Sequence, residues 1–170
     1  ELMSHIFTLQ YESRTQEYLD GRTYTGGWKH GLPNGQGIEE YHGGYKYEGV
    51  WTNGYLNGPG TFKQALTICF ESRSFVSYVG QFQHGLPHGQ GTAIDRFNCS
   101  YKGQWMYGKK NGKGTLTNSS WDIMYEGQWK NNQRDGYGTF LNQEGIYDGQ
   151  FKNDQKDGHG TLTYRSRIMY

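Results

Sequence analysis

The sequence predicts an all-β fold, an elongated single-layer antiparallel meander of six tandem β-hairpin repeats. The phrase Tyr-x-Gly-x-Trp/Phe occurs six times, beginning at Tyr24, Tyr47, Tyr78, Tyr101, Tyr125 and Tyr147. A Gly-x-Gly pair follows each phrase at a fixed offset, and Thr comes next in five of the six copies. Recurrence with a period of 20 to 50 residues is the signature of a repeat architecture.

The composition suits one thin layer of sheet. Glycine supplies 27 residues and tyrosine 15, while only 33% of the chain is hydrophobic. An ordinary globular core depends on leucine, isoleucine and valine. Disordered segments are poor in aromatic residues, so this composition argues against disorder. It predicts that aromatic rings cover the backbone of the sheet.

Each repeat has the alternation of a half-buried strand. Side chains alternate between the faces of a strand, so Tyr101, Gly103 and Trp105 share one face. Lys102 and Gln104 then point the other way. Glycine weakens a strand interior, but a ring lying across it can cover the exposed backbone. The Gly-, Asn-, Asp- and Pro-rich stretches after the phrases supply the turns.

The return strand repeats the same division. The residue two after the second glycine is apolar in repeats two to six, as at Leu116 and Phe140, and only Glu39 breaks the rule. Each hairpin is therefore expected to have one face of rings, aliphatic groups and glycine, and one face of Thr, Gln, Lys and Glu.

Residues 1–23 are predicted to form an N-terminal strand or cap, or a degenerate repeat. Residues 5–11 have a strand pattern, and residues 13–19 are expected to form a short helix because Ser13 and Gln16 match a capping box. The pair Asp20-Gly21 predicts the turn into the first repeat.

The array itself is expected to cover residues 24–164. The step from Tyr47 to Tyr78 is eight residues longer than the usual 23, which predicts an apolar insert at 63–77 that lengthens one hairpin. Residues 165–170 are expected to begin a seventh repeat, because Tyr170 lies 23 residues after Tyr147.

Charge and motifs argue against several functions. A net charge of +1 gives no strong attraction to nucleic acid. Cys69 and Cys99 lack metal-binding spacing and are expected to be reduced. His84 and His88 flank a Gly-Leu-Pro segment, where a turn role is favoured over a metal site because no third ligand is suitably spaced. No phosphate loop or acid–base pair is recognisable, so we expect no catalytic residues, no metal and no cofactor.

The repeats resemble the MORN (membrane occupation and recognition nexus) family, whose unit reads roughly YxGxWxxGxxxGxGxxxxxxG. The resemblance covers residues 24–164, with Phe82 and Phe151 in place of tryptophan, and Asn132 and Asp154 in turns where glycine is usual. It implies a scaffold. Members of the family bind peptides or helices along the sheet, dimerise through terminal repeats, or carry the repeats beside a catalytic domain.

We therefore expect a non-enzymatic scaffold that binds a partner peptide or helix, or a second copy, along an aromatic groove. The groove is predicted to consist of Tyr78, Phe82, Tyr101, Trp105, Leu116, Tyr125, Trp129 and Phe140. One alternative is a phospholipid-binding module with weak anionic lipid contact through Lys109, Lys110 and Lys113. Another is an accessory domain of a larger enzyme. The expected location is the cytoplasm, with cytoskeletal or ciliary association.

Overall fold

The computed structural model describes residues 12–64, 75–120 and 122–164. It comprises two compact units, Glu1–Pro87 and His88–Tyr170. In the described parts of both units every regular element is a β-strand, and each unit is a meander of antiparallel strands that pair in chain order. Those residues contain no helix long and apolar enough to cross a membrane.

The strands follow one another in hairpin order. The first unit contains β1 (Glu12–Glu17), β2 (Thr23–Lys29), β3 (Leu32–Tyr41), β4 (Tyr45–Thr52), β5 (Tyr55–Gln64) and β6 (Ser77–Gln83). Strand β7 (Leu86–Ile94) begins at the end of the first unit and continues into the second. The second unit goes on with β8 (Ser100–Met106), β9 (Lys109–Thr117), β10 (Ile123–Lys130), β11 (Gln133–Leu141), β12 (Gly145–Lys152) and β13 (Gln155–Tyr164). The predicted all-β hairpin class is confirmed.

Within a repeat, the hairpin closes through a turn of only two residues. His30 and Gly31 have φ angles of 52° and 78°, while Lys29 pairs with Leu32. Two positive φ values define a type I′ turn, whose twist matches that of the flanking strands. Asn132 at 74° and Asp154 at 66° adopt the second position as well, because Asn and Asp tolerate the left-handed region better than other side chains. The replacements of the usual glycine therefore leave the turns intact.

An irregularity recurs in the pairing of the phrase with its own return strand in repeats one, two, four, five and six. In the fifth repeat the register shifts between Gly127 and Trp129, opposite Gly136, whose φ is 104°. Such a bulge takes backbone groups out of the ladder and bends the strand. The first glycine of the Gly-x-Gly pair therefore serves the bulge, whereas the second, Gly138, pairs directly with Gly127.

The prediction of a short helix at residues 13–19 is wrong, because Glu12–Glu17 forms β1 and pairs antiparallel with β2. The indole Nε1 of Trp28 donates to the Arg14 carbonyl at 3.3 Å, much as Trp51 donates to Gly37 at 3.2 Å. Strand β1 thus takes the position of a preceding return strand. A helix this short is marginal by itself, and pairing with β2 outweighs its local capping signal.

Two sequence-based expectations concern segments that the structure describes only in part. At the insert, the backbone N–H of Gln64 donates to the Val76 carbonyl at 2.9 Å, so the pairing of β5 with β6 extends to this point. Residues 65–74 themselves, the segments 1–11 and 165–170, and Trp121 lie outside the described residues. The lengthened hairpin and the seventh repeat stay predictions.

The two faces of the second unit should differ sharply in their sensitivity to truncation. Trp105 is only 4% exposed, so Trp105→Ala is expected to lower the free energy of unfolding by about 3–5 kcal/mol. Thr115→Ala removes a half-buried side chain from the opposite face and should cost about 1 kcal/mol or less. Urea denaturation of both variants measures the difference, and equal losses would show that the faces are wrongly assigned.

Candidate partner-binding surface

The second unit presents two faces of different chemistry. We call ring face the side that carries the Tyr and the Trp or Phe of each phrase, and polar face the side that carries the residues alternating with them. Tyr101 and Trp105 are buried on the ring face, whereas Lys102 and Gln104 between them are exposed on the polar face. The alternation predicted from the sequence is therefore present.

The ring face is the core of the protein. The ring of Tyr101 meets Trp105 of its own repeat edge-to-face at 5.1 Å and Trp129 of the next repeat at 5.2 Å. Tyr24 in the first unit lies between Trp28 and Trp51 in the same way, at 5.3 and 5.1 Å. Edge-to-face pairs are the favoured arrangement of aromatic rings. Tyr24 and Tyr101 thus each join one repeat to the next.

Paired glycines make room for these tyrosines. Gly103 and Gly114 pair across β8 and β9, and a Cβ on Gly114 would come closer than 3.0 Å to the Tyr101 hydroxyl and ring. The hydroxyl donates to the Gln104 carbonyl at 2.9 Å. The indole Nε1 of Trp129 donates to the Gly114 carbonyl at 3.0 Å. The polar ends of both rings are therefore satisfied inside the core, as buried polar atoms require.

Most of the residues predicted to line an aromatic groove belong to this core. Tyr78, Phe82, Tyr101, Trp105, Tyr125 and Trp129 are all buried. Leu116 and Phe140 are half-buried and keep some open surface. Tyr78 and Phe82 lie in the first unit and the other six in the second. These rings pack against one another and do not form the walls of an open groove. A binding role for the ring face stays a prediction.

Cations cover part of the ring face. The Lys110 ammonium lies 5.1 Å from the Tyr101 ring centre and 5.0 Å from that of Trp129, and Lys156 lies 4.5 Å from the Tyr147 ring. Arg134 lies 4.8 Å from the Phe140 ring. Burial lowers the pKa of the Lys110 amino group. These contacts are cation–π interactions, and they shield rings that a single sheet layer cannot cover.

The three lysines expected to contact lipid do not form one patch. Lys110 lies over rings on the ring face. Lys113 lies on the polar face, where its backbone N–H donates to the Gln104 Oε1 at 2.7 Å. Lys109 is exposed at the beginning of β9, next to a hairpin turn. Lys110 and Lys113 therefore lie on opposite faces of the sheet.

The polar face of the second unit contains an open groove. A groove of about 730 Å³ crosses β8 to β11 and is lined by Lys102, Gln104, Lys113, Glu126, Gln128 and Tyr137, among others. A second trough of about 670 Å³ shares Gln104, Lys113 and Gln128 and continues toward the hairpin turns. The backbone of the paired glycines forms part of the groove floor, whereas the Cβ positions that these glycines leave empty face the tyrosines of the ring face.

In each of the last three phrases, a glutamine side chain accepts a hydrogen bond from the backbone at the bulge. The Oε1 atoms of Gln104, Gln128 and Gln150 accept from the backbone N–H of Lys113, Tyr137 and His159, at 2.7, 2.8 and 2.9 Å. Each of these N–H groups follows the bulge glycine. The carboxamide therefore satisfies a donor that the bulge frees from the ladder. This role is not predicted above, although glutamine recurs in the phrase Tyr-x-Gly-Gln-Trp/Phe and is a signal for it.

The exceptional Glu39 is buried with two partners in the first unit. Its Oε1 accepts from the Arg22 guanidinium at 2.9 Å and its Oε2 from the Tyr41 hydroxyl at 3.0 Å. Burial, followed by the nearby Glu39 charge, raises the pKa of Tyr41 to about 12. A buried carboxylate requires such partners, so this cluster replaces the apolar residue of the other repeats.

The buried tyrosines predict loss of stability at alkaline pH. Burial is the largest cause that raises the pKa of Tyr24 and of Tyr125 to about 12, against about 10 in an unfolded chain. The unfolded state therefore releases these protons first, and their stabilising effect is complete below pH 10 and lost as the pH rises to 12. Urea unfolding at pH 8, 10 and 11 should show a steady fall.

The matched variants for this titration are Tyr125→Phe, in the core, and Tyr137→Phe, on an exposed tyrosine. The core variant should lose less stability between pH 10 and 11, whereas the exposed variant should follow the parent protein. Phenolate absorbance showing that the folded protein ionises Tyr125 near pH 10 would contradict the expected shift.

Comparison with known families supports the repeat assignment. The family model described as MORN repeat matches six segments of the chain, at residues 24–44, 47–65, 78–95, 101–123, 125–145 and 147–167. No match was found among curated proteins. The matched segments make up more than half of the sequence and coincide with the hairpins seen in the structure. The chain therefore belongs to the MORN repeat family.

Proposed function

We propose that this protein is a non-enzymatic interaction module that binds a partner polypeptide across the polar face of its second unit. MORN repeats are generally associated with binding to proteins or membranes. The observation that carries the proposal is the groove of about 730 Å³ on that face. Its sides come from polar residues of neighbouring strands, which a rigid sheet holds in place.

The lining of the groove favours a polypeptide. The backbone of Gly103, Gly114 and Gly127 forms part of its floor, so a bound chain would lie against the sheet between the polar side chains. Tyr137 is 60% exposed beside them, and exposed tyrosines are frequent anchors of protein interfaces. Lys102 and Glu126 add one charge of each sign. Amide, phenol and charged groups together match the mixed chemistry of a peptide chain.

The ring face is the competing position for the same function. Leu116 and Phe140 retain some surface there, and Arg134 lies against the Phe140 ring. A partner bound on this side would have to displace cations that already stack on the rings. The polar face requires no such displacement, and for this reason we favour it.

Membrane binding is the second candidate. Exposed Lys109, Lys130 and Lys152 lie beside the hairpin turns of the second unit, and Met106 and Tyr107 are exposed near them. Each lysine close to an anionic membrane contributes about 1 kcal/mol to binding. The observation therefore favours contact through the turns, not through either face. Location in the cytoplasm and attachment to a catalytic domain stay predictions.

Photocrosslinking distinguishes the three surfaces. A photoreactive phenylalanine analogue replaces Tyr137 on the polar face, Phe140 on the ring face or Tyr107 in a hairpin turn, so that one aromatic residue replaces another each time. We expect crosslinks to polypeptide from position 137 in cell extract, identified by mass spectrometry, because this position lies in the groove.

Crosslinks only from position 140 would move the partner to the ring face. Crosslinks only from position 107, to vesicles containing phosphatidylserine and weakened by salt, would replace the proposal with membrane binding. Thermal unfolding of each labelled protein is the control for folding.

A further inference from the structure

We propose that the polar-face groove binds a polyproline II segment that crosses the strands and carries an acidic residue three positions from a basic one. This inference rests on the proposed function and names the conformation and charge pattern of the partner. It is carried by three features of the second unit: the orientation of three carboxamides, their spacing, and the order of charges beside them.

The carboxamides present hydrogen-bond donors in a fixed orientation. The Oε1 atoms of Gln104, Gln128 and Gln150 are occupied by backbone N–H groups. A carboxamide accepts hydrogen bonds only through its oxygen. With the oxygen directed at the backbone N–H, the side-chain nitrogen of each glutamine must point away from that backbone. None of the residues that the structure describes accepts a hydrogen bond from these three nitrogens. The row therefore has unused donors.

The spacing of the row matches one regular peptide conformation. The three glutamines lie on β8, β10 and β12, two strands apart, and neighbouring strands are about 4.8 Å apart, which gives about 9.6 Å between donors. Polyproline II rises about 3.1 Å per residue with three residues per turn, so its faces repeat every 9.3 Å or so. It also makes no internal hydrogen bonds, so every carbonyl is free to accept.

The other regular conformations match poorly. The carbonyls of an α-helix are already bonded within the helix. An extended β-strand covers the same distance in about three residues, but residues three apart then point to opposite sides. Polyproline II is thus the conformation that offers a free carbonyl to each glutamine in turn. The exposed ring of Tyr137, next to Gln128 in the groove, suits the aromatic contact that proline-rich segments make.

The charges beside the row set the sequence pattern. Thr115 pairs with Lys102 on one side and with Glu126 on the other, and Thr139 pairs with Glu126 and with Asp148. Lys102, Glu126 and Asp148 are all exposed, and the described ranges show no ion pair to any of them. A partner that complements this order places a carboxylate over Lys102, then cations three and six residues away.

The test uses the whole 170-residue chain and labelled synthetic peptides. The probe contains Glu-Pro-Pro-Arg-Pro-Pro-Arg between flanking prolines. One control peptide spaces the same charges four residues apart, which rotates them off one face of the helix. Another keeps the spacing but replaces proline with glycine and serine. In fluorescence anisotropy at 0.15 M salt, the probe should bind at least about tenfold more tightly than either control.

Matched protein variants test the two kinds of contact. Gln128→Glu keeps an oxygen for the Tyr137 N–H but removes both outward donors, and we expect at least about tenfold weaker probe binding. Lys102→Glu should weaken it similarly, because the row of charges becomes wholly acidic. Lys152→Glu makes the same charge change beside a hairpin turn and should leave binding unchanged. Circular dichroism of each variant checks that the sheet is retained.

Several results would overturn the inference: no probe binding, equal binding of both charge spacings, equal binding of the flexible peptide, or an unaltered affinity of Gln128→Glu. If a polypeptide crosslinks at position 137 but one of these peptide-binding results is also obtained, the polyproline conformation is refuted and the proposed function is preserved. Failure of crosslinking at position 137 in a protein that still binds the probe selectively would refute only the polypeptide partner expected from cell extract.

Discussion

The architecture depends on a tyrosine ring that lies over a pair of cross-strand glycines. Gly103 pairs with Gly114 and leaves space that the Tyr101 ring fills. The hydroxyl bonds to the Gln104 carbonyl, and Trp129 from the next repeat closes the other side. One sheet layer can bury its backbone in this way without a second layer above it. Since Tyr24, Tyr101 and Tyr125 each contact their own and the following repeat, the stability of the array is approximately a sum of contacts between neighbours.

Because of this packing, the ring face and the polar face tolerate substitution to different degrees. A Cβ on Gly114, Gly138 or Gly160 would collide with a tyrosine ring, and any loss of a ring would open the core, so the ring face admits few changes. On the polar face Lys102, Glu126 and Asp148 occupy equivalent positions in successive repeats with different charges. Differences among otherwise equal repeats therefore collect on the side that packing leaves free, and that side can carry specificity.

Local chemistry explains what the sequence could predict. The repeat phase, the alternation of faces and the turn chemistry all arise within one hairpin, and each is present in the structure. The closure of the ring face depends on how far Trp129 reaches toward the preceding repeat, a long-range contact that alternation does not reveal. The strand at Glu12–Glu17 likewise depends on its pairing with β2. Lys110 and Lys113 are close in the sequence and are predicted to contact lipid together. Their odd offset of three residues, however, already indicates that they lie on opposite faces.

The twist of the sheet limits how much of the polar face one partner can use. Adjacent strands rotate by about 20–25° relative to one another, so equivalent side chains two strands apart turn by roughly 45° about the axis that crosses the strands. From Gln104 to Gln150 the donors therefore turn through about a right angle. A straight segment that faces the middle glutamine is therefore turned by about 45° from each of the outer two, and a longer contact would leave it facing the edge of the sheet. The proposed contact would therefore span about three repeats, and a longer partner would have to bend with the sheet.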